Sequence, residues 1–417
     1  MRVKQQYASV QRIVRSLGPG ILMATAAIGG SHLVAATQAG ANYGWQLVLL
    51  ILAVNILKYP FFRAAVSFTV SSGLSLQQGY ARMGKGYLIA ALGVNCIAAV
   101  VNAAALLMFS ASLLGYFLPV ALPIPVLSAL VLTSILFILM AGHFGAMNKI
   151  AKLIMFVLVV STIIAASAAT IIGAVAPATF TPESPWSVVA IGFLVVTMGW
   201  MPAPIEISAI TSLWLKRQKQ TQPVTPASAL FDFNLGYMTT MLLALVFLAL
   251  GALVLHGSGQ TLASGGIGFS KQLVDLYAST IGEWSRWLIA VIAFLCIFGS
   301  ALTVYDGYCR AITEAASLLK GKADIPQKQF TGVLVAVAVI SFAIVLFFKS
   351  ALLAMLGFAM TLAFITTPLF AWLNHRLVKT SLLDETLKGG RWLTALSYLG
   401  LAYLFGFLGV FVWWKFV

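Results

Sequence analysis

Charge is what this chain lacks most. Asp, Glu, Lys and Arg make up 8% of its 417 residues, where soluble proteins carry about a quarter. Hydrophobic residues reach 61% against about 45–50% in soluble chains. Too little polar surface remains to keep a protein of this size in water, which excludes an ordinary cytosolic enzyme, a disordered chain and a nucleic-acid module. Cysteine is scarce as well. Cys96, Cys296 and Cys309 all lie in apolar runs and match no disulfide or zinc spacing. No Walker A sequence is present, and the four histidines (His32, His143, His256, His375) contain no His-Glu-x-x-His. Low-complexity segments are absent, and the longest polar-leaning connections, about 257–284 and 376–392, are too short for a domain. The chain therefore reads as an all-α polytopic membrane protein, and not as an enzyme.

A bilayer core about 30 Å thick takes about 20 apolar residues per helix. Such runs fall near 17–40, 44–68, 87–117, 124–142, 150–173, 187–214, 229–256, 285–316, 329–348, 350–375 and 393–414. These eleven predicted spans are continuous apolar runs without period-2 alternation, which excludes a β-barrel. Of the 25 Lys and Arg residues, twenty fall on one side of this arrangement, four on the other, and Lys58 lies within a span. The positive-inside rule then places the N-terminus in the cytoplasm and the C-terminus outside. The net charge of +15 is thus a matter of topology, and no nucleic-acid partner is expected. The basic N-terminal stretch resembles a signal peptide's n-region, but the apolar run after it is too long and further spans follow, so it reads as a retained first helix.

Two spans carry breaks at matching depth. Span one has Gly29, Gly30, Ser31 and His32 about halfway along; each glycine costs about 1 kcal/mol of helix propensity, and a serine can cap a new helix start. Span six has Met201, Pro202, Ala203 and Pro204, and its prolines remove two backbone donors and clash with the preceding turn. Breaks on spans one and six divide the chain into two five-helix units, 17–173 and 187–375, followed by an eleventh helix at 393–414. Five is odd, so the second unit is inverted relative to the first. The whole, 1–417, reads as a single transmembrane domain. Paired interruptions in corresponding halves mark a transporter's substrate site; the blander reading is that both are packing kinks.

Gly18-Pro-Gly-Ile-Leu-Met-Ala-Thr-Ala-Ala-Ile-Gly-Gly-Ser-His, followed by Gln38-Ala-Gly-Ala-Asn-Tyr-Gly, resembles the first helix of the Nramp divalent-metal transporters. Met201-Pro202 resembles the Met-Pro of their sixth. The resemblance covers spans one to ten and implies a LeuT-type inverted repeat and metal transport. The chain departs from the family where the ligands should be. The family's helix-one aspartate falls on Gly29 and its asparagine on His32, while Ala203 and Pro204 follow Met201-Pro202 where the family writes His-Asn. Span three, Tyr87 to Tyr116, has no charged residue, where the family's third helix carries charges linked to proton movement. A divergent branch is implied.

The candidate substrate-binding residues are therefore Gly29, Gly30, Ser31, His32, Met201, Pro202, Ala203, Glu206 and Lys58, with His32, Met201 and Glu206 the possible metal ligands. An imidazole in a helix break can ligate a metal, donate to an anion or carry a proton; otherwise it is a satisfied core residue. The Met201 thioether suits transition metals, or is ordinary packing. Glu206 follows Pro204, where a half-helix N-terminus stabilises a carboxylate whether or not it binds anything. Lys58 either pairs with Glu206 or snorkels toward Arg63's side. Asp306 and Arg310 make an i,i+4 pair, and Asn95 and Asn102 share a face of span three.

Function follows from this charge balance. A bare dication at the midplane needs anionic compensation, yet the neighbourhood of Gly29 offers His32, Lys58 and only Glu206 as an acid. The expected cargo is a divalent metal carried as an anionic or neutral complex with a small carboxylate, or the carboxylate itself, with His32 and Lys58 on the anion. The alternative is an Nramp-type site in which His32, Met201, Glu206 and backbone carbonyls replace the missing ligands; an amino-acid-like solute transporter and a non-transporting sensor also remain. The expected surrounding is the lipid bilayer of the plasma (inner) membrane, with a small-molecule or metal-complex substrate, no cofactor and no obligate protein partner.

Overall fold

The computed structural model describes residues 17–141, 144–177, 180–221, 223–259, 263–322, 325–348 and 351–416. The basic residues of 1–16 used in the orientation argument, and His143, lie outside the described residues.

Within them the protein is helical throughout. The first span is α1 (Pro19–Ala27), a π-helical turn (Ser31–Ala36) and α2 (Thr37–Tyr43). Then come α3 (Val48–Ser72), the short α4 (Leu76–Met83), α5 (Lys85–Phe117), α6 (Ile124–Met140) and α7 (Phe144–Ile172). The second set opens on another interrupted helix, α8 (Ile191–Trp200) and α9 (Ile207–Thr221). It continues with α10 (Pro226–Leu250), α11 (Gly266–Ile281), α12 (Arg286–Leu319), α13 (Gln327–Phe348) and α14 (Leu352–Thr380). The last helix is α15 (Arg391–Phe416).

Among the described residues, seven helices are long and apolar enough to cross a membrane, and three more apolar helices are shorter. Length and composition alone thus identify seven crossings, and the other predicted spans are short or interrupted. The repeat is visible in the order of elements. Each set begins with a broken helix, follows it with a long one, and then inserts a short helix, α4 or α11, before its third span. Neither short helix is evident from hydropathy. The polar-leaning connection 257–284 contains α11, and α4 is an eight-residue helix set by a capping box in which Ser75 and Gln78 bond each other's backbone N–H.

Small residues let the first span press on α10. A Cβ on Gly20 would meet the Asp232 carbonyl at 2.2 Å, and one on Gly236 would meet the Gly20 carbonyl at 2.3 Å. Such close backbone approach is how helices associate where lipid removes the hydrophobic drive. Asp232 completes the joint by accepting from the backbone N–H of Gly18 (3.0 Å) and of Gly20 (2.7 Å). It therefore caps the start of α1 from a neighbouring helix, satisfying N–H groups that have no partner inside their own helix.

Candidate functional site

The first break is narrow. α1 stops at Ala27, Ile28 takes φ −77° and ψ 8°, and π-type hydrogen bonding resumes at Ser31. Both glycines are required by close approach. A Cβ at Gly29 would lie 2.6 Å from Ser300 Oγ of α12, and one at Gly30 would lie 2.7 Å from the Trp200 ring at the end of α8. The space in which the family's aspartate would project from position 29 is therefore taken by a serine of another helix.

Three of the carbonyls at this break, those of Thr25, Ala27 and Ile28, find side-chain partners. Contrary to expectation, Ser31 does not cap the new helix start; it turns back to donate to the Ala27 carbonyl while contacting His32 Nδ1 at 2.7 Å. Ser300 Oγ donates to the Thr25 carbonyl at 3.2 Å, and Cys296 Sγ to that of Ile28 at 3.9 Å. His32 is fully buried. Its Nδ1 lies 3.1 Å from the Ala27 carbonyl and its Nε2 donates to the Thr240 carbonyl of α10 at 2.8 Å. Both ring nitrogens are engaged within the protein.

The second break is wider. Met201 leaves the helix with φ −91° and ψ 120°, and helix resumes only at Ile207. Pro202 and Pro204 account for it, since neither can donate to a continuing ladder. Lys58, wholly buried on α3, reaches into this gap. Its Nζ donates to the carbonyls of Met198 (2.7 Å), Gly199 (3.2 Å) and Ala203 (3.5 Å). The lysine thus closes the C-terminal end of α8, where a cation is favoured by the helix dipole. Among the described residues it makes no ion pair with Glu206.

Glu206 bonds elsewhere. Its Oε1 accepts from the Tyr308 hydroxyl of α12 at 3.4 Å, Tyr308 in turn accepts from the Asn102 amide of α5 at 3.3 Å, and Glu206 Oε2 has no partner among the described residues. A cavity of about 30 Å³ lies between the breaks, walled by Gly30 and Ser31, by Trp200, Ala203 and Pro204, and by Asn102 and Tyr308. That is room for about two water-sized groups. Gly29, His32, Lys58, Met201, Pro202 and Glu206 do not line it.

The structure therefore brings Gly30, Ser31, Ala203 and the Asn102–Tyr308–Glu206 chain together, and places His32, Met201 and Lys58 around them in supporting contacts. Tyr308 and Trp200 were missed from the sequence. Trp200 borders the Met-Pro motif, a signal that could have found it; Tyr308 had none beyond its place between Asp306 and Arg310. That pair forms as expected, at 2.8 Å. Asn95 is buried with neither amide atom bonded. Among the described residues, no three His, Cys, Asp or Glu side chains stand close enough together to hold a metal.

Comparison with known proteins agrees with this architecture. A manganese transporter from Eremococcus coleocola, solved with an aromatic bis-isothiourea compound, superposes with a TM-score of 0.70 at 14% identity over 95% of this chain and 86% of that one. A transporter of the nucleobase-cation-symport-1 family superposes with a TM-score of 0.58 at 14% identity over 95% and 92%. At such identities the likeness concerns the fold, which is the LeuT-type inverted repeat. An uncharacterized protein of Pasteurella multocida (strain Pm70) is 46% identical over 400 residues, covering 95% of this chain and 92% of that one. The family described as natural resistance-associated macrophage protein-like, Nramp, matches residues 20–414. On that match the chain belongs to the Nramp-like family.

Proposed function

We propose that the protein is a secondary transporter, working by alternating access around the two breaks. Its cargo is a divalent metal ion that retains part of its own ligand shell, as water or as a small carboxylate in a neutral or anionic complex. Family membership supports transport of a metal. The observation that carries the finer reading is the donor set: the one carboxylate bonded to a residue of the cavity wall is Glu206, behind Tyr308, whose Oε2 is unclaimed among the described residues, and carbonyls at both breaks already accept hydrogen bonds from Ser31, Ser300, Cys296 and Lys58. One carboxylate does not replace the hydration shell of a dication, which is otherwise held by several oxygen ligands. Lys58 acts as a cap of α8 and not as a contact to the cargo. The orientation follows the basic residues, with the N-terminus in the cytoplasm of a plasma (inner) membrane and the C-terminus outside.

Uptake of radiolabelled Mn²⁺ or Fe²⁺ into proteoliposomes, with and without citrate, tests this. Uptake should persist when citrate is in excess and should fall at least about tenfold in Glu206→Gln. Robust uptake of the free ion, abolished by excess citrate and indifferent to Glu206→Gln, would overturn the complexed-cargo reading. A small neutral organic solute is the second reading. It is favoured by the Trp200 indole N–H, which is buried without a partner beside the cavity, and it gains if no divalent metal is taken up at all.

A further inference from the structure

Away from the breaks, at the end of the bundle where α3, α14 and α15 meet, lies a second polar cavity. It measures about 310 Å³ and is lined by His375, Lys379, Lys388, Ser381, Thr394 and Ser397 among others. An adjoining recess of about 40 Å³ shares His375, Gly389 and Ser397 with it and adds Arg63. Among the described residues, no Asp or Glu lines either space. The walls are constructed. The 381–390 segment is tied to α3 by Ser67 Oγ donating to the Leu387 carbonyl at 3.4 Å and by the Asp384 N–H donating to Ser71 Oγ at 2.9 Å. Asn374 fixes α14 to α3 by donating to the Phe61 carbonyl at 2.9 Å.

Arg63 is the decisive residue. It is only 8% exposed, it borders the recess, and among the described residues it has no hydrogen bond and no ion pair. Nine of the ten acidic residues are described, and the ion pairs between described residues are made by Lys216, Arg286, Arg310 and Lys388. A buried guanidinium without an anion is costly, and its fork of donors fits the oxygens of a phosphate. Lys379 and Lys388 are exposed at the mouth. Lys379 leans on the Tyr398 hydroxyl at 3.0 Å, and Lys388 on Glu385 outside the cavity.

The geometry points to a phosphate-binding site between α3, α14 and α15, with Arg63 at its floor and His375, Lys379 and Lys388 around it, that takes the headgroup of an anionic phospholipid. Basic pockets between membrane helices on the positively charged side suit such headgroups. A volume of about 310 Å³ is also within the range of ligand sites. The same chemistry would accept free phosphate, and the two sources separate by experiment.

Purified full-length protein in detergent is titrated with phosphatidylglycerol, phosphatidylcholine or inorganic phosphate, and its thermal unfolding is followed. Phosphatidylglycerol should raise the melting temperature at concentrations where phosphatidylcholine does not. The half-maximal concentration should rise about tenfold in Arg63→Gln and in Lys379→Gln, and stay unchanged in Lys328→Gln, an exposed residue of α13 outside the cavity. Lys379→Gln keeps the test decisive if Arg63→Gln fails to fold. Inorganic phosphate matching phosphatidylglycerol, with the same two losses, supports the site with a soluble occupant. Equal stabilisation by both lipids, no stabilisation by phosphatidylglycerol or phosphate, indifference to Lys379→Gln, or an equal loss in Lys328→Gln would overturn the proposal.

Discussion

The two broken helices solve the same problem by different means. In the first, glycines interrupt the helix for a few residues, and freed carbonyls are closed by small groups near at hand: a serine of the same span, and a serine and a cysteine of α12. In the second, prolines hold six residues, 201–206, out of the helix, and the gap is filled by the amino group of one lysine from α3. Glycine only disfavours a helix, so the first break is a shallow interruption that several weak contacts suffice to hold. Proline forbids the ladder, so the second is permanent and depends on a single strong partner.

That contrast makes Lys58→Met the most damaging change. It leaves the carbonyls of Met198, Gly199 and Ala203 without their shared donor, and buried acceptors stripped of a partner cost about 1–3 kcal/mol apiece. We expect a loss of about 3 kcal/mol or more in denaturant unfolding of the purified protein. A loss no greater than that of Ser300→Ala would show that the second break supports itself, and the contrast would fail.

Gly30→Ala comes next, because its methyl would lie 2.7 Å from the Trp200 ring and overpacking of this kind costs about 1–3 kcal/mol. Uptake should fall together with stability, since this contact joins the two breaks. Ser300→Ala removes one of several donors from the first break and should cost about 0.5–1 kcal/mol, in the range of hydrogen bonds between membrane helices. The smallest effect is expected outside the breaks. Hydrogen bonds from the Thr386 hydroxyl and N–H hold the Asp384 carboxyl below its ordinary pKa. Its stabilisation is therefore present at neutral pH and above the ordinary carboxylate pKa, and is lost as the pH falls through the depressed value. Asp384→Asn should lower the melting temperature slightly near pH 7, with the difference from wild type closing as the pH falls below the ordinary carboxylate pKa.

The sequence made some of this legible. Gly29-Gly30 and the prolines at 202 and 204 announce their breaks because helix breaking is local, and their matching depth was enough to reveal the repeat. Lys58 was marked as needing a partner, but the expected Glu206 gave way to three carbonyls, and backbone acceptors carry no signature in a sequence. His32 stands out in the sequence as unusual for a helix break; that its Nε2 is taken by the Thr240 carbonyl depends on how α10 packs. α4 and α11 escaped notice because short helices between spans have no long apolar run. Arg63 read only as part of the basic flank, since its burial follows from how the 381–390 segment folds over α3.

Side-chain bonds join spans one, two, six and seven to one another: His32 to the Thr240 carbonyl at 2.8 Å, Tyr237 to the Asn55 carbonyl at 2.6 Å, Lys58 to the carbonyls of Met198, Gly199 and Ala203 at 2.7, 3.2 and 3.5 Å, and the N–H groups of Gly18 and Gly20 to Asp232 at 3.0 and 2.7 Å. α12 meets the same spans at the level of the breaks through Tyr308 to Glu206 at 3.4 Å, Ser300 to Thr25 at 3.2 Å and Cys296 to Ile28 at 3.9 Å. One helix thus holds a contact at each break. A movement of α12 that uncovers the Glu206 carboxylate would also release the Thr25 and Ile28 carbonyls, so that opening at the second break loosens the first.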